Sequence, residues 1–121
     1  MKVTSNADWF KKLAGAVRII VDDLGGAMVM TRERLNRAVV EVDPSLTGCP
    51  PYVLKHLTCA LKPRQGLHSR VLGVIEQVLI IFDPKVVRDA DSALSRCQQD
   101  GLPEDVEICL IEAGLREVVP A

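Results

Sequence analysis

Aromatic side chains are nearly missing from this chain. They make up 3% of its 121 residues, and only Trp9, Phe10, Tyr52 and Phe82 supply rings. A surface that stacks unpaired bases needs several exposed aromatic faces, so a single-strand nucleic-acid platform is not expected. The core must instead be built from Leu, Val, Ile and Ala, because hydrophobic residues reach 48%. That share is too high for a disordered chain.

Other absences narrow the reading further. No CxxC pair or tight His/Cys spacing occurs, so a zinc site or thiol redox motif is not expected from Cys49, Cys59, Cys97 and Cys109. Gly25-Gly26 lacks the GxGxxG or GxxxxGK[ST] context of a phosphate-binding loop. No stretch approaches the roughly 18 apolar residues of a membrane span. The longest candidate, Val71 to Phe82, is interrupted by Glu76 and Gln77. The first twenty residues carry Asp8, Lys11, Lys12 and Arg18, which breaks any apolar core of a secretory signal. Four cysteines in such a context point to a reducing, cytoplasmic location.

The net charge is -1, which gives no general affinity for DNA or anionic membranes. The distribution is uneven. No acidic residue lies between Asp43 and Glu76, whereas Lys55, Lys62, Arg64 and Arg70 do, with His56 and His68 nearby. From Asp83 onward acidic residues outnumber basic ones. His56 and His68 are the general-base candidates near neutral pH. Pairing either with Cys59 would give the rival reading of a small thiol enzyme. Of the acidic pairs Asp22-Asp23, Asp89 with Asp91 and Glu104-Asp105, adjacent acids point to different sides of a helix, and those near a helix start are dipole partners rather than a catalytic pair. No catalytic residues, metal or cofactor are therefore expected.

Hydrophobic spacing predicts one helical domain over 1–121. Phe10, Leu13, Ala14, Val17, Ile20, Val21 and Leu24 recur at three- and four-residue steps after Asp8, a candidate cap, and Gly25-Gly26 stops them. Thr31 predicts the cap of a second helix carrying Leu35, Ala38, Val39 and Val42. Residues 43–51 form a loop rich in proline. Pro51 opens a third helix that Pro63 and Gly66 end. A fourth is predicted from about Ser69 to Phe82, although Val78 to Phe82 alone reads as a buried strand. Asp83-Pro84 opens a fifth, with Val86, Val87, Ala90, Ala93, Leu94 and Cys97 inward. Pro103 opens a sixth, capped by Gly114. The expected class is all-α, with about six helices.

Asp43-Pro44 precedes Asp83-Pro84 by 40 residues, and Gly66-Leu67 precedes Gly101-Leu102 by 35. Such spacing is what a stacked helical repeat would leave. The stretch Asp83-Pro-Lys-Val-Val-Arg-Asp-Ala, Ala93-Leu-Ser, Asp100-Gly-Leu-Pro-Glu-Asp and Ile111-Glu-Ala-Gly114 resembles an armadillo repeat of importin-alpha-like adaptors. The resemblance covers residues 83–119 best and implies a short armadillo/HEAT-like stack or a compact bundle like one. In that family a Trp and an Asn spaced four apart read lysine-rich signals. Ser92 and Arg96 stand at those positions here, so that cargo is not implied.

The expected function is a non-enzymatic protein–protein interaction module, an adaptor or scaffold. Its expected contact residues are Lys55, Lys62, Arg64, Arg70, Arg88, Ser92 and Arg96, facing an acidic protein partner. An apolar trailing edge of Leu115, Val118 and Val119 adds self-association as a homodimer. One alternative is a death-fold-like six-helix adaptor. Another is a helix-turn-helix nucleic-acid-binding regulator using Thr31–Val42 and Pro51–Leu61, with a proline-rich link long for the usual turn.

Overall fold

A computed structural model describes residues 5–61, 65–72 and 77–116, apart from the side chains of residues 59 and 60. Its elements run in the order α1 (Asn6–Asp23), β1 (Ala27–Thr31), α2 (Arg32–Val42), a 3-10 turn (Pro44–Gly48), α3 (Pro51–Lys55), α4 (Leu57–Leu61), β2 (His68–Leu72), β3 (Val78–Phe82), α5 (Ala90–Gln99) and α6 (Glu104–Glu112). The three strands form one antiparallel sheet in the order β1-β3-β2. The all-α expectation is thereby corrected, along with the armadillo/HEAT-like stack, the compact helical bundle and the death-fold alternative that depended on it.

The physical reason lies in β3. All five residues of Val-Leu-Ile-Ile-Phe are buried. Successive side chains of a strand point to opposite faces, so a strand covered on both sides shows an unbroken apolar run. That run has no period and reads equally well as part of a buried helix. β2 alternates exposed and buried positions through Ser69. The fourth helix predicted over about 69–82 is therefore two strands, β2 and β3, on either side of residues outside the described set.

The pairing sorts the core into two layers. Leu79 and Ile81 of β3 join Met28 in one cluster with Leu13, Val17, Val21, Leu35, Val53 and Leu57 from the helices α1 to α4. Val78, Ile80 and Phe82 join Ala27 and Val29 in a second cluster with Ala93, Val106 and Leu110 of α5 and α6. The sheet is thus sandwiched between an N-terminal helical layer and a C-terminal helical pair.

Local signals explain most element ends. Ser5 caps α1, its hydroxyl accepting from the Asp8 N–H, in place of the expected Asp8 cap. Gly25 and Gly26 take φ of 82° and 106°, a region that only glycine adopts cheaply, and release the chain into β1. Thr31 caps α2 as its position suggests. Asp83-Pro84 does not open a helix. Asp83 Oδ1 accepts from the Lys85 N–H in a turn, and α5 begins at Ala90 with Asp89 as its cap. The third helix is split at His56 into α3 and α4.

Candidate interaction groove

α2 ends at Val42, and residues 43–50 carry the chain through the 3-10 turn to α3. Asp43 caps that turn, accepting from the Ser45 N–H at 3.1 Å and the Ser45 hydroxyl at 2.6 Å. The Ser45 hydroxyl holds the Asp43 carboxyl below its usual range, helped by the Ser45 N–H and Lys12. Lys12 Nζ donates to Ser45 Oγ at 2.6 Å and so ties the turn to α1. Tyr52 of α3 donates its hydroxyl to Asn6 Oδ1 at 2.6 Å. The link is therefore a built corner between α2, α3 and α1.

A groove of about 840 Å³ opens beside this corner, between α2, the 3-10 turn, α3 and α6. Its floor is apolar, with Leu13, Val39, Leu46 and Leu54. Its rim is mixed in charge, with Arg32, Glu33, Lys55 and Asp105. Asp105 reaches the rim from α6. Arg34 of α2 grips it, with Nη2 to Oδ1 at 2.6 Å and Nε to both oxygens at 3.2 Å. That grip holds the Asp105 carboxyl below its usual range and raises the Arg34 guanidinium. Thr31 Oγ1 donates to Asp105 Oδ2 at 3.2 Å while accepting from the Arg34 N–H. One threonine thus caps α2 and fastens the C-terminal helical pair to it. Sequence reasoning found the cap and missed the bond to α6.

The described candidate contact residues lie on several elements. Lys55 is exposed on α3 and lines the groove. Arg70 lies opposite Ile80 in the β2–β3 register, on the sheet face that carries α5 and α6. There it meets Asp91 of α5 at 3.5 Å. Lys62 and Arg64 lie outside the described residues. Arg88 and Ser92 are exposed, and the Ser92 N–H serves the Asp89 cap of α5. Arg96 donates from Nη1 to the Gly25 carbonyl at 2.6 Å, fastening α5 to the α1–β1 turn. The basic region read as continuous from Lys55 to Arg70 is therefore divided by the sheet. Leu115 is 43% exposed, and Val118 and Val119 lie outside the described residues.

Little here resembles a reaction centre. His56 stands at the α3–α4 break and His68 stacks on Phe82, with ring centres 5.7 Å apart and planes at 18°. The Cys59 side chain is not among those described. Burial pushes the Cys49, Cys97 and Cys109 thiols up, away from thiolate character. Cys109 Sγ donates to Gln77 Oε1 at 3.3 Å in the groove wall. Among the described residues no group of three His, Cys, Asp or Glu side chains could hold a metal ion. Among them, too, no helix is long and apolar enough to cross a membrane.

No protein-family model, curated protein or solved structure matches this chain.

Proposed function

We propose that this protein is a non-enzymatic interaction module that docks a segment of another protein in the groove between α2, the 3-10 turn, α3 and α6. The observation that carries this reading is the groove's construction. It has an apolar floor of Leu13, Val39, Leu46 and Leu54 beneath a rim bearing both signs of charge. A recess of that kind suits an amphipathic segment that buries apolar side chains and pairs its polar ones at the edge. The free thiols of Cys49, Cys97 and Cys109 fit work in a reducing compartment such as the cytoplasm.

A second reading has one specific observation in its favour. The order α2, turn, α3–α4, β2, β3 is that of a helix-turn-helix followed by a β-hairpin, a winged arrangement that can read duplex DNA. The charges weigh against it. Lys55 and His56 are the basic groups described on α3–α4, Arg34 is occupied by Asp105, and the net charge is -1. The sequence between β2 and β3, Gly73-Val-Ile-Glu-Gln77, contains no base. The presumed reading helix is also interrupted at His56 after one turn.

The test is charge reversal on the rim. Lys55→Glu with Glu33→Lys keeps the net charge and leaves both buried layers untouched. It should abolish capture of a specific protein from cell extract without moving the thermal midpoint. Capture identical to that of the unaltered chain would refute the docking site.

A further inference from the structure

Lys11, Gly15, Ile19 and Asp23 follow one another at four-residue steps along α1. Residues four apart lie one above the other on a helix, so these four make a single ridge. It runs on the side away from the core, because Leu13, Val17, Ile20 and Val21 are buried. Leu13, which floors the docking groove, points the opposite way from Gly15, about 200° round the helix. Lys11 and Asp23 are exposed, and no ion pair among the described residues uses either. Ile19 is 50% exposed. Gly15 weakens the helix interior relative to alanine. A Cβ placed on it would meet nothing within 4 Å, so packing inside the fold does not require glycine there. Its missing side chain leaves a notch on the outer face, one turn from the exposed isoleucine. Asp23 ends α1, where the helix dipole favours a cation.

The geometry points to a second copy of this chain as the cover of this ridge, its α1 antiparallel to the first about a two-fold axis. The axis passes at the level of Val17, midway along the ridge. The helices cross so that the two ridges run along each other, as rows of residues four apart do in the commonest helix packing. Gly15 then faces the partner's Ile19, and Lys11 faces the partner's Asp23. Each contact occurs twice, as a two-fold interface requires. Shape and charge select the same arrangement. Each isoleucine fills the notch of the other helix, and each lysine meets a carboxylate. The antiparallel course also brings the positive start of one helix to the Asp23 end of the other. A parallel pair would set Lys11 against Lys11 and Asp23 against Asp23. One helix pair is a small interface, so the dimer is a weak one that forms at high protein concentration.

Sedimentation equilibrium of the intact protein tests this, with thermal unfolding at low concentration as the check on folding. Self-association should appear as concentration rises. Gly15→Gln fills the notch with a good helix former, so it should weaken association by about tenfold or more while raising the thermal midpoint of the monomer. A merely structural glycine would move only the second reading. Lys11→Glu and Asp23→Lys should each weaken association by about fivefold. The two together should restore it, because every reversed charge again meets its opposite. A chain that stays monomeric up to about 1 mM would leave this face to a different partner and overturn the inference. Association that Gly15→Gln leaves unchanged would overturn it as well, as would a double exchange that fails to restore what either single reversal has lost.

Discussion

Arg18 and Asp83 join parts of the chain that lie far apart in sequence. Arg18 Nη2 meets Asp83 Oδ2 at 2.5 Å and also pairs with Asp22, while its Nη1 donates to the Gln65 carbonyl at 3.0 Å. The Lys85 N–H, followed by Arg18, holds the Asp83 carboxyl below its usual range. A depressed carboxyl contributes stability above its unfolded pKa of about 3.9, and that contribution is lost as pH falls through the folded value. Asp83→Asn should therefore lower the urea midpoint at pH 7 and match the unaltered protein in strong acid. An equal deficit at both ends of a pH series would contradict this. None of it was legible in the sequence, where Asp83-Pro84 has the composition of a helix start. Asp83 is satisfied by the turn at Lys85 and by a guanidinium 65 positions away. The cysteines behave more simply. Burial raises the Cys49, Cys97 and Cys109 thiols, so each should react slowly with a thiol reagent at pH 7. Rapid modification of any of the three would contradict their structural role.

At the scale of elements, the helices with clear caps were readable, whereas of the strands only β3 left a signal, Val78 to Phe82, that a helix could equally claim. α1 and α2 carry three- and four-residue apolar steps and obvious stops, and both form where expected. β1 is only five residues, Ala-Met-Val-Met-Thr, and looks like a linker after Gly25-Gly26. Its strand character comes from pairing with β3, which lies about fifty residues downstream. Tertiary pairing of this kind overrides local preference. Thr31 joins the two layers, so Thr31→Ala should cost about 1 kcal/mol as a lost cap. It should also loosen α6, which amide exchange in Val106–Leu110 would register. Leu110 has no exposed surface and packs under the sheet, and Leu110→Ala should cost about 2–5 kcal/mol in chemical denaturation. A loss below about 1 kcal/mol would mean that α6 does not seal that face.

The described part of the molecule is a sheet with two covers, and the proposed docking groove lies where the covers meet. The groove beside α3 needs Asp105 from α6 as well as Val39 and Leu54 from the N-terminal layer. No single segment of sequence contains it. Reading along the chain grouped Lys55 with Arg70, because only the sheet places them on opposite sides. Arg70 and Arg34 are met by Asp91 and Asp105 from the acidic end, pairs within the chain that the uneven charge alone did not reveal. The most direct test compares the unaltered chain with the Lys55→Glu/Glu33→Lys variant in two assays run side by side, quantitative protein capture from cell extract and fluorescence anisotropy with duplex DNA across a salt series. The expected result is a captured protein that the variant loses, with negligible DNA binding by either. Salt-steep DNA binding that the variant loses, with protein capture unchanged, would contradict the account.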